Sequence, residues 1–357
     1  MALFKDMVQG ENSVFLNEVA LEYSFIPKTI PYRDNQKQQI ALCIKPLLQN
    51  RNGRNLIIHG PAGVGKTVGC KHILQELEEE CDTIHPIYIN CWQKNTTYKV
   101  IIELCDQLGY KFTQNKKTEE LFAICKNIIN KQMAVFVFDE IDKAEDQDFL
   151  YSILEEIYKK AIILITNYKD WIIELDTRIK SRLTPEVLEF KKYNAEEIKG
   201  ILRERTKYAF QENCVDDESL DVIAMRTYDE GDVRIGLYLL RESGNIADEE
   251  NAKKVTKQHA EKAIGKVAAF SIKKKDELDE ESQKILTLVK KKPGSRIGDI
   301  FKTYQTEGGT LVYKSFYRRV QKLDENKFIS TEKIIGGTEG TTTLLKLPSE
   351  KKLTDFE

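Results

Sequence analysis

Apolar positions along this 357-residue chain fall into three regimes. Between residues 56 and 190, short continuous apolar runs alternate with stretches in which apolar residues recur every third or fourth position. The runs lie at 56–58, 87–90, 134–138, 161–166 and 187–190, and strands that are apolar without alternation predict a parallel sheet covered on both faces. Helices between them are marked by Cys70, Ile73, Leu74 and Leu77, by Val100, Ile101, Leu104, Cys105 and Leu108, and by Leu121, Ile124, Cys125 and Ile128. Strands alternating with helices give an α/β domain.

From Tyr193 onward only the helical period remains. Asn194 and Glu197 have the spacing of an N-cap and its N3 partner and open a helix running to residue 210. Further helices are predicted at about 217–227, 232–243 and 256–267. Segment 271–281, SIKKKDELDEE, is charged with few apolar anchors and reads as a linker. Beyond it, Ile285, Leu286 and Val289, then Ile297, Ile300, Phe301 and Tyr304, then Phe316, Val320 and Leu323 predict three helices. Two short runs at 328–335 and 341–347 flank the turn GGTEG and complete the order of a winged helix.

Length predicts two or three domains, and 41% hydrophobic with 31% charged residues describes a globular chain. No run approaches the roughly 18 apolar residues of a membrane helix, and the N-terminus lacks a basic-then-apolar signal. A cytoplasmic, nucleoid-associated protein without a membrane partner is therefore expected. Seven scattered cysteines, without a C-x-x-C pair, read as reduced and mostly buried thiols. Charge is uneven: residues 271–357 hold 18 Lys+Arg against 14 Asp+Glu, or +4, leaving 37 against 43, or −6, for residues 1–270. The basic end is where nucleic acid contacts are expected.

Residues 60–67, GPAGVGKT, stand directly after an apolar run and before a helical period. The spacing lets glycine-rich backbone wrap phosphates with successive N–H groups while a helix N-terminus faces the same anion. Gly63, Val64, Gly65, Lys66, Thr67, Val68 and Gly69 are the expected nucleotide contacts, with Lys66 on the β/γ-phosphates and the Thr67 hydroxyl on Mg²⁺. VFVFDEID puts Asp139 and Glu140 at the carboxyl end of a buried strand, where open α/β sheets bind ligands. Asp139 is expected to hold Mg²⁺ and Glu140 to polarise the attacking water. Asn167 ends the next strand within reach of the γ-phosphate or that water.

P-loop, DEID, strand-end Asn and a helical segment carrying GDVR together resemble an AAA+ ATPase. Within that class the chain is similar to the archaeal origin-recognition and cell-division-control initiators. IPYRDNQ at 30–36, YNAEEIKGIL at 193–202 and GDVRIGLYLLRESGNIA at 231–247 carry the likeness. The resemblance implies an AAA+ base over 1–192, a helical lid over 193–268 and a winged helix over 278–349. It implies ATP or ADP with Mg²⁺ between base and lid, Ile30 and Arg33 on the adenine side, Tyr193 and Arg205 lining the nucleotide, and Arg234 as a lid sensor of the γ-phosphate. It makes Arg182, in DTRIKSRL, a candidate finger reaching a neighbouring subunit's site. It also implies a DNA-touching helical insertion, placed within 92–118.

Lys314, Arg318 and Lys322 fall at i, i+4 and i+8 of the third terminal helix, with Ser315 and Arg319 beside them and the apolar positions opposite. A recognition helix presents that face to a major groove, and wing residues Gly337 and Thr338 would lie against the minor groove or the backbone. The implied function is ATP-switched, slowly hydrolysing initiation of replication, with double-stranded origin DNA, the replicative helicase and further initiator subunits as partners. Two other readings fit the same residues: a clamp-loader or transposition-helper ATPase, and a nucleotide-gated winged-helix transcription regulator.

Overall fold

The computed structural model describes residues 13–276, 279–325, 328–334 and 342–346. Two compact units divide the chain, Met1–Ile264 and Gly265–Glu357.

The first unit opens on helix α1 (Asp34–Leu48), which the sequence reading passed over although Ile40, Cys43, Ile44 and Leu47 have helical spacing and are all buried. There follow β1 (Leu56–His59), α2 (Lys66–Glu80), β2 (Ile84–Asn90), α3 (Thr97–Gln107), α4 (Thr118–Ile129), β3 (Met133–Asp139), α5 (Asp148–Glu156), β4 (Lys160–Thr166), α6 (Trp171–Glu174), α7 (Thr177–Leu183) and β5 (Glu186–Glu189). All five strands run parallel in the order β2-β3-β4-β1-β5. Both sheet faces are covered, which is why the strands read as unbroken apolar runs. On β3, Phe136 and Phe138 face a core with Leu104, Leu121 and Phe149, while Val135 and Val137 face another with Ile40, Ile44 and Leu74.

The rest of this unit is helical: α8 (Ala195–Ala209), α9 (Asp217–Glu230), α10 (Val233–Glu249) and the start of α11 (Lys257–Asp276), which runs on past the unit boundary at Ile264. The expected capping box is formed, the Glu197 N–H donating to Asn194 Oδ1 at 2.8 Å and the Asn194 N–H to Glu197 Oε2 at 2.9 Å. Asp216 and Asp232 cap α9 and α10. Residues 13–25, ahead of the sheet, lie on this bundle. Phe15 stacks on Phe210 with ring centroids 4.9 Å apart, and Val14 and Leu16 exchange backbone hydrogen bonds with Gln211 and Ala209.

Residues 271–276 belong to α11 rather than to a linker. In the second unit, α12 (Glu280–Lys291), α13 (Ile297–Thr306) and α14 (Tyr313–Glu325) enclose Ile285, Ile300, Tyr304, Phe316 and Val320. The hairpin β7 (Ser330–Ile334) and β8 (Thr342–Lys346) gains an unanticipated third strand, β6 (Ser295–Arg296), in the antiparallel order β6-β8-β7. Gly337 and Thr338 lie outside the described residues.

Replacing Asn194 by Ala removes the acceptor of the Glu197 N–H and is expected to cost about 1 kcal/mol in urea unfolding. A midpoint equal to the parent's would show that the box adds nothing.

Candidate nucleotide-binding site

The loop between β1 and α2 owes its path to two glycines. Gly60 has φ +150° and Gly63 φ +71°. A Cβ at Gly60 would stand 2.2 Å from the Phe190 carbonyl oxygen, and one at Gly63 would stand 1.9 Å from Asp232 Oδ1. Only glycine lets the loop pass between β5's end and the N-terminus of α10. The Val233 N–H donates to the Gly63 carbonyl at 3.3 Å, tying the bundle to the loop.

Lys66 is buried at 7% exposure and spends its three donors on Gly60 O and Pro61 O, both at 2.7 Å, and Asn167 Oδ1 at 2.8 Å. Burial pushes its ammonium down to about 8, against the opposing pull of Asp139. Asp139, 2% exposed, accepts from the Thr67 hydroxyl at 2.6 Å and the Tyr88 phenol at 2.7 Å through Oδ2, and from the Glu140 N–H at 2.9 Å through Oδ1. Burial and then Asp139 keep that phenol protonated, its pKa pushed far above the usual range. Glu140 takes a left-handed conformation, φ +52°, at the end of β3, and burial, then the charges of Asp139 and Asp142, raise its carboxyl above the usual range.

These groups open on a cavity of about 280 Å³ whose walls also include Thr166, Asn167 and Arg234, with Phe25, Ile26, Ile30, Ile201 and Leu237 as an apolar lining. Tyr193, Val68 and Arg205 border it too. Arg234 chelates Asp232, Nε to Oδ1 at 2.9 Å and Nη2 to Oδ2 at 2.6 Å, so the residue that caps α10 also holds this guanidinium. Arg205 donates to Ala20 O at 2.9 Å and to Phe25 O at 3.4 Å, holding the N-terminal segment over the cavity.

The residues fit a nucleoside triphosphate and a hard divalent cation: left-handed glycines leave the loop open to phosphate, and Thr67 with Asp139 offers two hard oxygens on one spot. Two expected contacts are placed elsewhere. Arg33 is absent from the cavity wall; its guanidinium lies behind the loop, on Val64 O at 3.1 Å and Lys191 O at 2.6 Å, 3.8 Å above the Tyr193 ring. Gly69 is covered by Phe190, and its N–H is used inside α2. Arg182 stands on the surface of α7, bonded to Glu155 at 2.5 Å and to Arg178 O at 3.2 Å.

On α14, Lys314, Arg318 and Lys322 are exposed and Ser315 half-buried. Arg319 donates to Asp279 at 2.8 and 3.0 Å, a tie within its own unit. Residues 92–118 supply α3 and a surface with Lys94 and Lys99, the former paired with Glu103. Tyr88 and the Tyr23–Pro27 segment were missed; Tyr88 had one visible signal, a polar atom between the buried Ile87 and Ile89 of a strand that ends beside Asp139.

Residues 49–166 match the family model of an AAA domain, and residues 199–265 that of a Cdc6 AAA+ ATPase-type lid domain. The chain is 34% identical over 267 residues to an ORC1-type DNA replication protein 1 of Sulfurisphaera tokodaii, covering 71% of this chain and 67% of the relative. It is 29% identical over 370 residues to one from Methanothermobacter thermautotrophicus, covering 98% and 97%. The solved structure of the Aeropyrum pernix ORC1 protein in complex with DNA superposes with a TM-score of 0.71 at 23% identity, covering 95% of each chain.

Lys66 carries a testable signature. Its folded value of about 8 lies below the unfolded value near 10.4, so the folded state binds fewer protons between them, and stability rises with pH through that window. Relative to Lys66→Met, the nucleotide-free parent is expected to gain on the order of 2 kcal/mol between pH 8 and 10.5 in urea unfolding. A pH-independent difference would show that the ammonium is not desolvated.

Proposed function

The chain belongs to the ORC1-type DNA replication proteins, and from that premise we propose that it is an ATP-switched initiator that binds double-stranded origin DNA and helps recruit the replicative helicase. The observation that supports this most directly is that Lys66 at the start of α2, Asp139 at the end of β3, Asn167 just after β4 and Arg234 from the lid open on one cavity. Such a site is sensitive to a third phosphate as well as to the base.

In this reading the N–H groups of residues 63–67 cradle the phosphates, Lys66 trades a present acceptor for a phosphate oxygen, and Arg234 trades Asp232 for the γ-phosphate. Mg²⁺ held by Thr67 and Asp139 would neutralise charge on the phosphate oxygens. Glu140, with its raised affinity for protons, accepts from the attacking water, and Asn167 orients it. The base takes residues 1–192, the lid 193–268 and the winged helix 278–349. Hydrolysis is slow and regulatory, and the protein works on the nucleoid in the cytoplasm with further initiator subunits. Arg182, exposed on α7, serves a neighbour's site.

DNA is held through Lys314, Arg318 and Lys322, with Ser315 beside them. Lys314→Ala with Arg318→Ala is expected to weaken binding at all sequences and to lower the slope of log K against log salt by about 2. An unchanged slope would take the phosphate contacts away from α14. Arg182→Ala is expected to keep nucleotide affinity while losing ATP-dependent assembly on DNA, read by sedimentation; assembly equal to the parent's ends its role in trans. Mapping bound positions across the genome tests the whole reading, since sites away from replication starts would favour a transcription regulator or a helper ATPase.

A further inference from the structure

Tyr88 reaches Asp139 from the edge strand of the sheet, outside every motif that marks the site. Its phenol donates to Asp139 Oδ2 at 2.7 Å, the same oxygen that takes the Thr67 hydroxyl proton at 2.6 Å. The side chain is fixed from three directions. On its backbone, the Tyr88 N–H donates to Gln107 Oε1 at 3.1 Å, and Gln107 Nε2 donates to the Tyr88 carbonyl at 2.7 Å. One side-chain amide thus satisfies both groups that an edge strand leaves without a neighbouring strand. On its ring, the Lys71 ammonium sits 4.3 Å from the centroid. At its tip, the hydroxyl meets the carboxylate. Gln107 is itself held by Glu103, which accepts from its Nε2 at 2.9 Å and pairs with Lys94 at 2.9 Å.

A tyrosine placed only to fill space has no need of these supports: its ring packs against the α2 side of the sheet, while its neighbours Ile87 and Ile89 are buried on the opposite face against α3 and α4. The supports make sense when the position of one hydroxyl matters. A carboxylate that serves a cation must present its oxygens in a fixed direction, and hydrogen bonds to it from outside the coordination sphere set that direction. Asp139 has the Glu140 N–H on Oδ1, and Thr67 cannot serve as a fixed reference, because its own oxygen is the other group offered to the cation. Tyr88 is the donor on Oδ2 that has no second task.

We propose that Tyr88 is a positioning residue for the divalent cation, holding Asp139 in the rotamer that binds it, with Gln107 anchoring Tyr88. This rests on the nucleotide and Mg²⁺ reading of the site. The test is Tyr88→Phe in the full chain, which keeps the ring and its Lys71 contact. Affinity for a fluorescent ADP is measured in EDTA, and Mn²⁺ binding to the ADP complex is measured by electron paramagnetic resonance. Mn²⁺ affinity is expected to fall about tenfold with EDTA-state ADP affinity unchanged, and Gln107→Leu is expected to shift Mn²⁺ binding in the same direction. Unchanged or tighter Mn²⁺ binding in Tyr88→Phe overturns the proposal, as does an equal loss of both affinities, which would mark a structural role. Failure of the parent itself to bind ADP would instead remove the nucleotide reading beneath it.

Discussion

A single buried guanidinium joins the parts of the nucleotide site. Arg33, 5% exposed, is where the N-terminal segment enters α1. Its donors go to the carbonyl of Val64 inside the phosphate loop and to that of Lys191 at the junction of sheet and lid. Its face lies on Tyr193, and a desolvated contact of this kind contributes about 2 kcal/mol. Three segments far apart in sequence are thereby referred to one planar group. Lysine, with a point charge and no plane, would lack both the fork and the stack.

Around that fixed point, the charged groups of the cavity already hold protein partners. Lys66 has three acceptors, Asp139 three donors, and Arg234 a chelating carboxylate. Binding at such a site is an exchange of partners, and the net gain is a small difference between large terms. That arrangement favours discrimination over sheer affinity: a ligand must match the site's own contacts before it displaces them. Asp232 is the point where the exchange spreads, because it caps α10, touches the loop at Gly63 and holds Arg234 at once.

Much of this was legible in the chain. Strands buried on both faces announce themselves as apolar runs, and the phosphate loop and DEID are legible because their chemistry fixes residue type and spacing together. Asn194 and Glu197 were legible because a capping box needs only local geometry. What escaped depends on tertiary contact. Arg33 looked like a nucleotide contact, since nothing local reveals that two distant carbonyls wait for it. Ser295–Arg296 is too short to carry a period and becomes a strand only beside β8. Residues 271–276 looked like a linker from their charge, yet a charged stretch of good helix formers can prolong an existing helix. Tyr88 escaped because its role lies on a neighbouring strand.

The N-terminal segment has a mechanical consequence. Residues 13–25 are fastened to the helical lid, through Phe15 on Phe210 and Glu22 on Arg241, while Lys28 and Arg33 are fastened to the sheet domain through His72 and Val64. The chain therefore crosses from lid to sheet domain once at residues 26–27 and again at residues 190–194. Two parts joined by one tether can swivel in any direction. A second crossing excludes the rotations that would pull it apart, so the two parts are held to each other more closely than one tether would hold them.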